Sequence, residues 1–383
     1  MNSLFEANGT FAIQVLKMLC EDKPSQNVFF SPLSISSALG MFLLGAKGNT
    51  KVQIARAMSL KIQEDIHKGF QMLLTQVNKP GSKYLLRTAN RLFGEKTCDF
   101  LLHLNFFSPK TFKESCLQSY DTELELLSFA RAIEKSRKHI NCWVSKEMKG
   151  KIPEVLPKNS IDEQARLVLV NAIYFKGTWD EPFNKSCVCK MPFIINKEES
   201  RPVEMMWQKA NFNYIYISEA QTQVLELPYA GKELSMIILL PDEDMDLRVV
   251  ENSLTFEKFL DWTEAASLQN IEVKVLIPRF KLQGDYNMQS VLQHLGMVDV
   301  FQEGQADLSA MSTETDLCLS KFVHKSVLEI NEEGTEAVAG SGIYDEEFSF
   351  SYLPFFSADH PFLFFIRHNE TNTLLFCGRF SCP

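Results

Sequence analysis

The sequence predicts an α+β fold, on three observations. Helical patterns fall mainly in the first half of the chain and strand-like runs mainly in the second, as when helices and strands segregate rather than alternate. No internal repeat, low-complexity block or Pro/Gly/Ser linker divides the 383 residues, so 1–383 reads as a single domain. At 45 % hydrophobic and 23 % charged residues, the composition is that of an ordinary globular protein with ample apolar material for a core.

The opening segment, "MNSLFEANGTFAIQVLKMLCEDK", lacks a basic start, a continuous apolar stretch and a small-residue cleavage site, so it is not read as a signal peptide. Phe11, Val15, Leu16 and Leu19 recur at helical spacing and predict a packed amphipathic helix. In "SPLSISSALGMFLLGAKGNT", Ser31 is an N-cap and Pro32 takes the first helical position. The helix is apolar on nearly every side to Leu44, which predicts burial all round. "ARLVLVNAIYF" is β-branched and apolar, a central strand interrupted by Asn171. "KFVHKSVLEI" alternates, with Phe322, His324, Ser326, Leu328 and Ile330 on one face. "HPFLFFIRHNETNTLLFCGRF" closes the chain as two apolar strands about a polar turn, a hairpin.

Charge and cysteine content exclude several classes. A net charge of −9 and a pI near 5.4 leave no dominant basic surface, so neither nucleic acid nor an anionic membrane is an expected partner. The short basic run from Arg131 to Lys138 reads as the solvated face of a helix. No apolar run approaches the length of a membrane span. Nine cysteines, odd in number and scattered, suit a reducing compartment better than a disulfide framework. The sequons at Asn8, Asn184 and Asn369 would then meet no glycosylation machinery.

Enzyme signatures are missing from the sequence. It has no phosphate-binding glycine loop, no G-x-S-x-G turn and no H-E-x-x-H. Cys187 and Cys189 are one residue apart with no nearby histidine, so no metal and no cofactor is expected. His324, on the apolar face of its strand, stands out for a different reason. A buried polar group without a partner costs about 1–3 kcal/mol, and Asn171 poses the same problem on another central strand, sharing a face with Leu169 and Ile173. Ser31 and Ser34 can donate and accept. The economical expectation is that these four satisfy one another beneath a sheet, either as pure structure or as a fastening between strands that later separate.

At this point the residues resemble the serpin family. "NVFFSPLSISSALGMFLLGAKGNT", "INCWVSKEMKGKIPEVLP", "LVLVNAIYFKGTWDEPF", "VLELPYAGKELSMIILLP", "IPRFKL", "HKSVLEINEEGTEA" and "DHPFLFFIRHNETNTLLFCGRF" are similar to serpin segments in serpin order. The N-terminus, "GAKGNT" and the "DHPFLFFIRHN" ending resemble the intracellular ovalbumin-like branch, clade B, and within it the granzyme-B inhibitor and its paralogues.

The resemblance implies about nine helices and three β-sheets with an exposed reactive-centre loop, here about residues 332–357. It implies a monomeric, cytoplasmic or nucleocytoplasmic inhibitor and not an enzyme. Its partner would be a target serine protease, trapped as a covalent acyl complex when the cleaved loop inserts into the large sheet. The hinge would be Glu332, Glu333, Gly334, Thr335, Glu336, Ala337, Val338, Ala339 and Gly340. The strand is expected to run on through Glu333 to Gly334, where a missing side chain permits a change of direction.

On insertion Thr335, Ala337, Ala339, Ser341 and Ile343 would face the core; all but Ile343 are small enough to enter without overpacking. Gly340 and Gly342 lower strand propensity, and Asp345 would resist burial. Ser31, Ser34, Asn171 and His324 match the family's shutter, and Trp179 its breach, where the sheet opens. The family's hinge length places the cleaved bond at Phe348–Ser349, suited to a chymotrypsin-like protease, while a shift of one residue gives Glu347 and an acid-reading, granzyme-type target. A non-inhibitory binding or storage role and cross-class inhibition of cysteine proteases remain the alternatives.

Overall fold

The computed structural model describes residues 2–61, 65–101, 111–264, 266–333 and 353–383. The chain opens with α1 (Asn2–Asp22), β1 (Val28–Phe30), α2 (Pro32–Gly45), α3 (Gly48–Ala57) and α4 (Ile66–Val77). Next come β2 (Tyr84–Glu95), α5 (Phe112–Tyr120), β3 (Glu123–Leu127), α6 (Phe129–Glu147) and β4 (Leu167–Gly177). The second half holds β5 (Val188–Ile194), β6 (Ser200–Ile217), β7 (Thr222–Pro228), β8 (Leu234–Pro241), α7 (Leu247–Ser253) and α8 (Phe256–Thr263). It ends with β9 (Gln269–Pro278), β10 (Phe280–Asn287), α9 (Gln289–His294), β11 (Leu319–Ile330), β12 (Phe355–Ser357), β13 (Phe362–His368) and β14 (Thr373–Phe380). The described residues thus form nine α-helices, as the resemblance implies.

One sheet has five strands in the order β10-β11-β4-β2-β3, and the other nine, β1-β14-β13-β8-β7-β6-β9-β12 with β5 on β6. The 18-residue β6 gives its first part to β5 and β9 and its last five residues to β7. Through it two smaller sheets join into one hydrogen-bonded path, so the three expected sheets are the five-stranded one and these two halves.

The cause of each key element is local. Ser31 Oγ accepts from the Ser34 N–H at 3.2 Å, and Pro32 begins α2, in which every residue but Leu44 is buried. Residues Phe11, Val15, Leu16 and Leu19 of α1 are buried in the main core. A second core lies between α6 and the outer face of the five-stranded sheet, where Phe129, Ile140 and Val144 meet Ala89, Phe93, Val168, Val170 and Val323. The start of α6 is held by the buried Glu95 carboxylate, which accepts from the Phe129 and Ala130 N–H groups at 2.6 and 3.0 Å.

Two sequence expectations need correction. The Arg131–Lys138 run is not wholly solvated: Arg137 is buried and donates to the Leu156 carbonyl at 2.8 Å while pairing with Glu134 and Glu154. The strand before the loop does not continue through Glu333 either. Regular pairing stops at Ile330, opposite Phe280, the first residue of β10, and Asn331 Oδ1 accepts from the Glu333 N–H at 3.1 Å. With that side-chain bond the backbone turns where the neighbouring strand has ended.

Candidate functional site

The site is built where β11 and β4 lie side by side. They pair in parallel from Phe322 opposite Leu169 to Leu328 opposite Phe175, and His324 sits directly across from Asn171. Both side chains are fully buried, so strand register alone brings the two polar groups together. His324 Nε2 accepts from the Ser31 N–H at 3.1 Å, which requires that nitrogen to be unprotonated. The proton therefore resides on Nδ1, which donates to Asn171 Oδ1. Burial keeps the ring neutral, pulling its pKa down to about 3.

Asn171 Nδ2 then shares its hydrogens with the Ser34 carbonyl at 3.1 Å, Ser34 Oγ at 2.6 Å and Asn90 Oδ1. Ser31 Oγ completes the set by donating to the Leu375 carbonyl at 2.7 Å. The structure therefore brings Ser31, Ser34, Asn171 and His324 into one network at the capped end of α2, tying four strands, β2, β4, β11 and β14, to one helix. Asn90 belongs to the same row and was not singled out from the sequence. It lies on β2 directly opposite Asn171, and the signal for it was an amide one residue before Arg91 in the strand-like run "ANRLF". Close by, Ser326 Oγ donates to the Phe29 carbonyl at 2.8 Å, and the Phe29 N–H donates to Tyr286 Oη at 3.1 Å. Gly284 makes that approach possible, because a Cβ there would sit 1.9 Å from the Phe29 carbonyl oxygen.

Trp179 holds the backbone where it leaves β11. Its N–H donates to the Glu333 carbonyl at 3.1 Å and its Nε1 to the Asn331 carbonyl at 2.9 Å, while the Phe183 N–H reaches the Glu332 carbonyl at 2.8 Å. The indole is 2 % exposed and stacks on Tyr229 at 4.6 Å between ring centres, so its position is fixed by packing. Glu332 is buried beside Arg279, and Glu333 pairs with Lys185. The chain returns at β12, which lies parallel to β9 on the rim of the nine-stranded sheet. Gly334, Thr335, Glu336, Ala337, Val338, Ala339, Gly340, Ser341, Ile343, Asp345, Glu347, Phe348 and Ser349 lie outside the described residues.

A buried polar clasp across adjacent parallel strands and a tethered turn after them make up the site. The family model described as "Serpin (serine protease inhibitor)" matches residues 6–383, and the chain belongs to the serpin family. Among its relatives, Serpin B9 of Homo sapiens is 62 % identical over 384 residues and the leukocyte elastase inhibitor of Homo sapiens 46 % over 387, each covering all of both chains. Serpin B8 of Homo sapiens is 54 % identical over 383 residues, again over the whole of both chains, which places the chain in clade B, among B9-like serpins. The structure of uncleaved ovalbumin at 1.95 Å resolution matches with a TM-score of 0.89 at 35 % identity, covering all of both chains.

Proposed function

We propose that this chain is a suicide-substrate inhibitor of a serine protease, acting as a monomeric single domain inside the cell. The observation that carries the reading is the clasp itself: His324 and Asn171 fasten the parallel pair β11 and β4 on the strand that leads into the turn from which the loop departs. A segment turning back at Asn331–Glu333 would run antiparallel to both strands. Entering between them, it would replace one parallel pairing with two antiparallel ones, the slightly stronger kind. Each new ladder hydrogen bond is worth roughly 1 kcal/mol, and the small residues at Thr335, Ala337, Ala339 and Ser341 keep the cost of packing low.

In the proposed reaction the protease serine attacks the Phe348 carbonyl carbon, the bond to the Ser349 nitrogen breaks, and the acyl ester is carried off by insertion before water can reach it. Phe348 fits a chymotrypsin-like specificity slot. Glu347 as the cleaved residue would fit a granzyme-type protease, in line with the resemblance to the granzyme-B inhibitor. The leukocyte elastase inhibitor among the relatives adds elastase-like enzymes to the set worth trying.

Chymotrypsin-like, elastase-like and granzyme-B-like serine proteases and a cysteine protease are each mixed with the full chain, run on denaturing gels, and the released peptide is weighed. The reading predicts a complex that survives denaturant and a peptide beginning at Ser349; a peptide beginning at Phe348 moves the specificity to Glu347. Cleavage by every enzyme with no complex sinks the inhibitory reading and leaves a binding or storage role, whereas a complex with a cysteine protease alone favours the cross-class alternative.

A further inference from the structure

We propose that the solvent face of α6 docks the phosphate backbones of double-stranded nucleic acid, without sequence preference. Residues 129–160 carry eight Lys and Arg against three Glu, on a chain whose net charge is −9. Two of those three carboxylates, Glu134 and Glu154, are engaged by the buried Arg137. The inner face of α6 is consumed by Phe129, Ile140 and Val144 against the sheet, which turns the positions between them outward. Lys135, Lys138, Cys142 and Lys146 follow one another at three- and four-residue spacing, Lys149 comes just past the C-cap Met148, and all are exposed. Among the described residues none of these four lysines has an ion-pair partner. Lys151 extends the patch, its Nζ lying 5.5 Å above the centre of the Tyr174 ring.

The spacing selects the partner. Lys138 and Lys146 are eight residues apart, about 12 Å along a helix, and a B-form major groove is about 12 Å wide. The pair Lys135 and Lys138 meets one backbone and the pair Lys146 and Lys149 the other, with Cys142, Ser145 and His139, whose Nε2 lies 2.6 Å from the Glu125 carboxylate, between them. No large exposed apolar residue of the molecule falls within 129–160, so the face offers nothing to insert into a bilayer. Its one tryptophan, Trp143, is already stacked under Arg91 at 4.4 Å and is not offered to unpaired bases. At physiological salt charges more than about 8 Å away are largely screened; nearer the row, Glu134 is engaged by Arg137 and Glu125 by Arg91 and His139, which leaves Glu147 as the α6 carboxylate without an ion-pair partner among the described residues. Whole-chain charge argued against nucleic acid; the tertiary surface gathers lysines that the sequence spreads over two separate runs.

The test is fluorescence anisotropy of two labelled 20-base-pair duplexes of unrelated sequence, titrated with the full chain at 50 and 200 mM salt. Four phosphate contacts give a log–log salt slope of about −3.6, a fall of roughly 150-fold in affinity over that range, equal for both sequences. K135Q/K138Q and K146Q/K149Q should each remove about half the slope, while K190Q/K197Q, on another face, leaves it unchanged; circular dichroism checks that each variant is folded. Absence of binding at 50 mM salt overturns the proposal, as does a slope insensitive to the α6 lysines. So does preferential binding to phosphatidylserine vesicles, heparin oligosaccharide or a single strand of the same length.

Discussion

His324 shows how much a single buried residue fixes. In the folded chain its pKa lies near 3 instead of the ordinary 6.5, because burial disfavours the charged ring and Nε2 is committed to accepting from Ser31. The unfolded chain therefore binds a proton that the folded chain refuses between those two values. The contribution is intact above pH 6.5 and is lost as pH falls, at no more than about 1.4 kcal/mol per pH unit. Urea unfolding at pH 7.5 and pH 5 should show about 2 kcal/mol more loss for the native chain than for His324→Gln. His67 and His368, also lowered chiefly by burial, remain in both proteins and cancel in the comparison. Equal losses would mean that His324 does not titrate in this way. Asn171→Ala leaves His324 Nδ1–H and Ser34 Oγ without that partner and should cost about 2–4 kcal/mol, read from the denaturant midpoint at unchanged slope.

At the scale of elements, the sequence disclosed α2, β4, β11 and the closing hairpin because burial writes itself into apolar runs and Ser31-Pro32 into a cap. It disclosed less where partners decide. Arg137 sits in a basic run and looks solvated, yet it is the contact between α6 and Leu156 that buries it. Arg137→Ala removes that bond and the alkyl stem together, and should destabilise the protein by about 1–3 kcal/mol, measured by urea unfolding. The end of β11 differs from the expectation for a similar reason: β10 begins opposite Ile330, so no strand continues beside Asn331, Glu332 and Glu333. The hinge makes its own test. Thr335→Arg would require a charge to enter the core, so the variant should be cleaved without forming a denaturant-resistant complex; undiminished trapping by it would exclude insertion.

For the molecule as a whole, the proposed mechanism requires that the uncleaved chain not be its most stable arrangement. Insertion of about a dozen residues adds several ladder hydrogen bonds at roughly 1 kcal/mol each, so the cleaved chain should melt on the order of 10 °C or more above the uncleaved one. Differential scanning calorimetry of the two forms decides it, and coincident transitions would remove the driving force from the proposal.

Taken alone, the sequence determined the fold class, the buried helix and central strands, and the need of four polar residues for partners, because these follow from local spacing, capping and the cost of burying an unpaired dipole. The tertiary structure decided which partners they found. Register set His324 opposite Asn171 and Asn171 opposite Asn90, packing held Trp179 over the turn at Asn331–Glu333, and the docking of α6 turned scattered lysines into one face. The register and indole contacts join residues 81 to 153 positions apart in the chain, and no local pattern encodes a contact at that separation.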